Sequence, residues 1–176
     1  VVGRIRLSKE LGLGEGTART LVKHLKKEGI IKVSKYGIML SEHGKKMFSD
    51  MKSKISEGIE VPHSLLTVGP FNIAVLVRGM ASKIKRGLEQ RDTAIKAGAL
   101  GATTLIFSRN RLTMPSSEED IVRDIPSIHD MLVSKLGPKE NDVIVIGSGE
   151  NKPSAEIGAK MAALELLKSE NENTLQ

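Results

Sequence analysis

The sequence predicts an α+β protein with a mainly α N-terminal domain and a C-terminal two-layer α/β sandwich of order β-α-β-β-α-β-α. Three observations lead there. The chain has 176 residues, enough for one large or two small domains. Residues 1–60 hold 13 Lys and Arg against 7 Asp and Glu, whereas the rest holds 14 of each, so the net charge of +6 lies in the first third. Short apolar runs at 73–77 and 143–146 are typical of buried strands.

Two short helices joined by a glycine turn are predicted at the start of the chain. Residues 7–11 form the first helical turn, and residues 12–14 supply flexible backbone after it. The second helix runs from Thr17 and ends at Gly29, a typical residue after a helix C-terminus. Its apolar face repeats at i, i+3, i+4 and i+7 and consists of Ala18, Leu21, Val22 and Leu25. This arrangement is the helix-turn-helix unit.

A small hairpin and a third helix follow. Residues 30–33 and 38–40 read as strands joined by a turn at 34–37, where Gly37 can take a positive φ. Ser41 is the predicted N-cap of a helix through about Ser56. One stripe of that helix is expected to pack on the rest of the domain: Met47, Phe48, Met51 and Ile55. A hairpin behind a recognition-type helix is a wing.

The order of these elements resembles the winged helix-turn-helix transcriptional regulators of prokaryotes. The residues that carry the resemblance are 7–21, 28–31 and 40–44, and it covers roughly the first 55 residues. The layout of the whole chain also resembles archaeal winged-helix proteins. Such domains have another helix before the helix-turn-helix pair, and only six residues precede Leu7. We therefore expect that first helix to lie upstream of the printed sequence.

Duplex DNA is the expected partner of this domain. The excess of Lys and Arg in this domain indicates a polyanionic partner such as nucleic acid. Charge alone is equally consistent with an ordinary lysine-rich, solvated surface. Proteins that bind single strands or RNA stack bases on aromatic rings, and only 2% of this chain is aromatic. The resemblance implies a helix that enters the major groove. The candidate DNA-binding residues are Gly16, Thr17, Arg19, Thr20, Lys23, Lys27, Lys32, Lys35 and Tyr36.

These residues have different expected roles. Arg19 is the first candidate for a base contact, because its guanidinium can bond both acceptors of guanine. The hydroxyls of Thr17 and Thr20 can reach phosphates or base edges, and Gly16 allows close approach. Phosphate contacts are expected from Lys23 and Lys27 on the helix. The wing could reach the backbone or the minor groove of the flanking duplex through Lys32, Lys35 and Tyr36. Ordinary surface polarity is the alternative for each of these residues.

The domains are predicted to span 1–58 and 64–168, with a frayed tail at 169–176. In the second domain we expect strands at 71–77, 103–107, 112–114 and 143–146. Helices are expected at 80–99, from a capping box of Ser116 and Glu119 to about 125, from Pro126 to 137, and from Pro153 to about 167. The last helix should bury Ile157, Met161, Leu164 and Leu167. Continuous apolar strands favour cover on both faces of the sheet, which a second copy could provide.

Two stretches of the second domain are candidate sites for a small anionic effector. Residues Gly147, Ser148, Gly149 and Glu150 lie between a strand and a helix start, where free N–H groups attract anions; a plain turn is the alternative. They match neither a dinucleotide fingerprint nor a P-loop. The second stretch is Gln90, Arg91 and Asp92 together with Arg78, because two arginines could hold a carboxylate or phosphate; an ion pair is the alternative.

Several function classes are not favoured. The chain has no cysteine, and its four histidines lack ligand spacing, so we expect no metal site, no disulfide and no cofactor. Ser148 lacks the G-x-S-x-G spacing and a paired histidine, so we expect no catalytic residues. The longest apolar run is about half a dozen residues, too short to cross a membrane. Without secretory features, the cytoplasm is the expected location.

The sequence thus predicts a homodimeric DNA-binding transcriptional regulator whose C-terminal domain dimerises, senses an effector, or does both. One alternative is an enzyme whose winged helix represses its own operon. Another is a winged helix that docks proteins instead of DNA.

Overall fold

The computed structural model of the protein describes residues 1–115 and 125–172. The chain divides into two compact units, Val1–Ser53 and Lys54–Gln176. The division lies slightly before the expected gap between the predicted domains, which end at 58 and begin at 64. That stretch belongs to the second unit, because Ile59–Glu60 is a strand of its sheet and Val61 is buried in its core.

The first unit is a helix-turn-helix followed by a hairpin. Its elements are α1 (Arg4–Glu10), α2 (Glu15–Lys27), β1 (Ile31–Ser34), β2 (Gly37–Leu40) and α3 (Glu42–Lys54). Strands β1 and β2 pair antiparallel, and Val2 adds an isolated bridge to Ile38. Helix α1 begins three residues before the turn expected at 7–11. The predicted helix pair and wing are therefore present in the predicted order.

Backbone glycines and one serine fix the junctions of this unit. Gly29 takes a φ of +68° after α2, as expected of a residue that ends a helix. The predicted N-cap is confirmed, since the Ser41 hydroxyl accepts the Gly44 N–H at 2.9 Å. A Cβ at Gly44 would lie 2.0 Å from the Ile30 carbonyl oxygen, so only glycine lets α3 start this close to the wing.

The expected packing of the third helix is wrong. Met47 and Phe48 are exposed, and Met51 is only partly buried. The small core of the unit instead joins α2 to the hairpin through Val22, Ile31 and Ile38. Periodicity identified the apolar stripe but not its surroundings: of its four residues, Ile55 alone packs against a core, that of the second unit.

The second unit is a five-stranded sheet with helices. Its elements are β3 (Ile59–Glu60), β4 (Phe71–Val77), α4 (Leu88–Lys96), β5 (Gly101–Ser108), β6 (Arg111–Thr113), α5 (Pro126–Leu136), β7 (Val143–Gly149) and α6 (Lys152–Glu172). A 3₁₀ turn, Ala81–Lys83, precedes α4. The strand order is β3-β4-β7-β5-β6, and every neighbouring pair is antiparallel. The predicted α+β class is confirmed.

Helices cover both faces of this sheet. Alternate residues of β4 enter two separate cores: Ala74 and Leu76 pack with α5, whereas Val75 and Val77 pack with α4 and α6. The expected two layers are therefore corrected to three. A second copy is not needed to cover the sheet, which explains why strands with continuous apolar runs fit this unit.

The buried face of α6 also differs from the expectation. Ile157 and Met161 are 49% and 38% exposed, and the helix buries small residues instead: Ala155, Gly158, Ala159, Ala162 and Ala163. A Cβ at Gly147 would lie 2.3 Å from the Ala155 carbonyl oxygen. Small residues on both sides thus let α6 lie almost directly on β7. Ile157 and Met161 are left on the exposed side, whereas Leu164 and Leu167 are partly buried as expected and Leu166 is buried.

Other boundaries moved for local reasons. The helix expected at 80–99 is interrupted at Gly87, which takes a positive φ of +75° and precedes the start of α4. Helix α6 continues to Glu172 instead of ending near 167. The capping box expected at Ser116 and Glu119 lies outside the described residues, as does the end of the tail. Within the described ranges, no helix is both long enough and apolar enough to cross a membrane.

Candidate nucleic-acid interface

Helix α2 has one buried side and one exposed cationic side. Ala18 and Val22 are buried, and Leu21 and Leu25 are partly buried, as the apolar spacing predicted. The opposite side presents residues that are all exposed: Gly16, Arg19, Thr20, Lys23 and Lys27. We call these five residues, with Thr17, the α2 face. Neither Arg19, Lys23 nor Lys27 forms an ion pair with any carboxylate among the residues the structure describes.

The N-terminal half of α2 is open to a large partner. Nothing lies within 4 Å of a Cβ placed on Gly16, so this position is a gap in the side-chain surface. The Thr20 hydroxyl donates to the Gly16 carbonyl oxygen at 3.2 Å, which leaves its lone pairs free to accept. Gly14 precedes the helix without a side-chain cap, so the first N–H groups of α2 have no such acceptor.

The wing carries the remaining candidates. Lys32, Lys35 and Tyr36 are all exposed, with Tyr36 at 74%. The Lys35 ammonium lies 5.0 Å from the centroid of the Tyr36 ring, so the two side chains form one cationic and aromatic tip. The Lys45 ammonium hydrogen bond lowers the pKa of Glu42, and the Lys32 charge adds a smaller effect in the same direction.

Two residues of this surface were not predicted from the sequence. Arg4 of α1 and Glu15 of α2 line, with Arg19, a groove of about 200 Å³ between the two helices. Arg4 could not have been found without the tertiary fold, because it is distant in sequence. Glu15 could have been found from its position in the first turn of α2, where an acidic side chain is favoured by the helix dipole.

The two arginines of the expected effector site each pair with a different carboxylate. Arg78 faces the buried carboxylate of Asp142 at 3.4 Å. Arg91 bonds its neighbour Asp92 at 3.2 Å on the surface. Each arginine is therefore paired with a carboxylate of the protein, as the alternative to an anion-binding site had it.

The expected anion-binding loop at residues 147–150 is also corrected. Gly147, Ser148 and Gly149 are buried in β7, and only Glu150 is exposed. The Ser148 hydroxyl donates to the Asn72 side-chain oxygen at 2.6 Å. These residues are small because α6 packs on them, so they form no open loop. Helix α6 has its own cap, since the Asn151 side-chain oxygen accepts the Ser154 N–H at 2.9 Å.

Gln90 is the one expected effector residue with an unexplained environment. It is 4% exposed on the inner side of α4. Its side-chain oxygen is fully buried without a hydrogen-bond partner, and so is the hydroxyl oxygen of Thr104 on β5. Among the described residues, no group of three or more His, Asp and Glu side chains could hold a metal ion.

Comparisons with known proteins match each unit to a family. Residues 68–166 match a family model described as a domain of unknown function, DUF4443. Residues 1–55 match the CggR N-terminal DNA binding domain. The solved structure of hypothetical protein PH0730 from Pyrococcus horikoshii OT3 is similar over 96% of this chain and 86% of its own, with 29% identity and a TM-score of 0.67. No curated protein matches the sequence.

Proposed function

The chain belongs to the DUF4443 family, and we propose that it is a transcriptional regulator that reads duplex DNA with its first unit. The observation that carries this proposal is the α2 face, whose cations are exposed while the other side of the helix is buried. The match of residues 1–55 to a DNA-binding domain supports the same conclusion. In this arrangement α2 lies in the major groove and the wing lies along the flanking backbone.

Each residue has a proposed role. Arg19 bonds a guanine through its guanidinium, and Lys23 and Lys27 bond phosphates along the groove. The hydroxyls of Thr17 and Thr20 reach phosphates or base edges, and the gap at Gly16 lets the duplex approach. The wing adds phosphate contacts from three side chains: Lys32, Lys35 and Tyr36.

The experiment is a binding titration with fluorescent 30-bp duplexes of random sequence and with duplexes selected from a random pool. Arg19→Ala should lower affinity for the selected duplexes by about 1–3 kcal/mol and relax specificity at one base position. Lys23→Ala should weaken binding to both kinds of duplex equally. Lys96→Ala is the matched control, because this exposed lysine lies in the other unit. If both Arg19→Ala and Lys23→Ala bind like the wild type and like the Lys96→Ala control, α2 does not read DNA.

The second unit is proposed to form a homodimer and to sense a small anion. The large apolar side chains Ile95, Ile157 and Met161 are exposed on neighbouring helices α4 and α6, whose contact is tight at Gly158. Exposed apolar residues grouped in this way are typical of interaction surfaces. A two-fold dimer would match a two-fold-symmetric DNA site. Sedimentation equilibrium tests it: Ile157→Glu should produce monomer, and Glu150→Gln should not.

A dimer predicts a steep dependence on salt. For about 6–10 phosphate contacts, affinity should fall roughly 10³–10⁵-fold between 50 and 200 mM salt. If the winged helix docks proteins instead of DNA, its affinity for duplex DNA should not show this steep dependence on salt.

Because a regulator of this type works on the chromosome of a prokaryote, we propose a cytoplasmic location. An archaeal source is proposed from the Pyrococcus structure.

A further inference from the structure

We propose that the N-terminus of α4, with Gln90 and Thr104, is a binding site for a small phosphate-bearing molecule that also carries an O–H donor. The site lies in the second unit, between the start of α4 and strand β5. An effect of phosphate on DNA binding would rest on the proposed function. The binding of phosphate at this site does not depend on that function.

The first support is a pair of buried oxygens without partners. Gln90 and Thr104 are each 4% exposed, and neither the Gln90 Oε1 nor the Thr104 Oγ1 has a hydrogen-bond partner. A buried polar atom without a partner is costly, so native proteins nearly always satisfy such atoms with protein, water or ligand. The two oxygens lie on elements that contact each other, Gln90 on α4 and Thr104 on β5, and each can still form a hydrogen bond.

The second support is the end of the helix itself. Gly87 stands at the N-cap with a φ of +75° and offers no side chain to cap the helix. The first N–H with a helical acceptor is that of Arg91, which donates to the Gly87 carbonyl oxygen at 3.2 Å. The N–H groups of residues 88–90 have no acceptor in the part of the chain that the structure describes. By contrast, a side-chain oxygen caps α6.

The two features lie at the same place. A Cβ at Gly87 would be 3.2 Å from the Thr104 Cβ and 3.3 Å from its Oγ1. The unpartnered hydroxyl therefore lies beside the uncapped helix end. Gln90 is one helical turn further along, on the side of α4 that packs inward.

The charges around the helix end favour an anion. Lys83, Lys85 and Arg86 come immediately before Gly87, and none of them forms an ion pair among the described residues. Glu89, an exposed acid in the first turn, offsets one of these charges. The helix dipole adds partial positive charge at this end.

The chemistry of the donors and acceptors selects phosphate. The N–H groups and the Thr104 hydroxyl donate to anionic oxygens, whereas the Gln90 Oε1 can only accept. The ligand must therefore have acceptor oxygens and at least one hydrogen-bond donor, which a protonated phosphate supplies as an O–H. Inorganic phosphate has both at pH 7, because it keeps a proton. Sulfate has the same shape and no proton, so it leaves the Gln90 oxygen unsatisfied.

The test uses the full chain, ¹⁵N-labelled, without DNA. Inorganic phosphate should shift the amide signals of Leu88, Glu89 and Gln90 in a saturable titration. The same titration should leave Ser154, at the capped end of α6, unchanged. Sodium sulfate at the same ionic strength should bind at least about 10-fold more weakly. Gln90→Leu and Thr104→Val, which remove the two oxygens at similar side-chain size, should each raise the phosphate Kd about 10-fold or more.

Four results would overturn the proposal. The first is that phosphate causes no saturable shift of the amide signals, and the second is that sulfate binds as tightly as phosphate. The third is that Gln90→Leu and Thr104→Val both bind phosphate like the wild type, and the fourth is that the Ser154 signal shifts as much as those at the start of α4. If Gln90→Leu does not fold, Thr104→Val and the comparison of phosphate with sulfate still decide. If phosphate binds but wild-type DNA affinity is the same with and without it, the site stands and its regulatory role fails.

Discussion

Replacing Gly16 with alanine should make the first unit more stable and its DNA binding weaker. Gly16 is the second residue of α2, and nothing lies within 4 Å of the added Cβ. Alanine is favoured over glycine in a helix by about 0.5–1 kcal/mol, so the free energy of unfolding should rise by about 0.5 kcal/mol at this early position. If the duplex fills the gap, the new methyl group overpacks that contact.

An overpacked contact costs about 1–3 kcal/mol, which is about a 5- to 150-fold loss of affinity. Urea unfolding measures the first effect, and fluorescence anisotropy with a selected 30-bp duplex measures the second. Ser49→Ala, at an exposed position of α3, is the control and should leave affinity unchanged. A Gly16→Ala variant that is more stable and binds DNA as well as the wild type would refute the close approach.

Three further predictions concern stability. Ser41→Ala removes the cap of α3 and a hydroxyl bond of 2.5 Å to Gly29, so urea unfolding should show a loss of about 1–2 kcal/mol. Gly147→Ala forces a methyl group against the backbone of α6, and thermal unfolding should show a loss of roughly 3 kcal/mol or more. The Ser108 hydroxyl and then the Arg109 N–H lower the pKa of Glu140, so its contribution is present above about pH 4.5 and is lost as the pH falls through the lowered pKa. The difference in urea midpoint between wild type and Glu140→Gln should therefore be constant from pH 5 to 7 and shrink below pH 4; a difference that grows on acidification would contradict this.

The sequence predicted the first unit well because its signals are local. The apolar spacing of α2, the glycine after it and the Ser41 cap each depend on residues a few positions apart. The exposed cations followed directly, since they occupy the side of the helix opposite Ala18 and Val22. Arg4 was not predicted, because its place beside Arg19 depends on how α1 packs on α2.

The second unit was harder to predict because its signals are tertiary. The spacing of large apolar residues in α6 predicted Ile157 and Met161 on its buried face, but that face is made mostly of glycine and alanine because the helix lies so close to β7. Gly147 and Gly149 looked like a ligand loop for the same reason: small residues serve close packing as well as ligand approach. Gln90 could be named from the sequence, whereas its relation to Thr104 needed the fold.

The central claim is that the cations of the α2 face contact DNA phosphates, and the salt dependence of binding tests it most directly. The slope of log K against log salt should be smaller in magnitude by about 1.8 for a Lys23→Ala, Lys27→Ala double variant than for the wild type, since each lost phosphate contact changes it by about 0.9. For a dimer the change doubles. An unchanged slope would show that these lysines do not contact the duplex, and the account of α2 as the DNA-reading helix would be wrong.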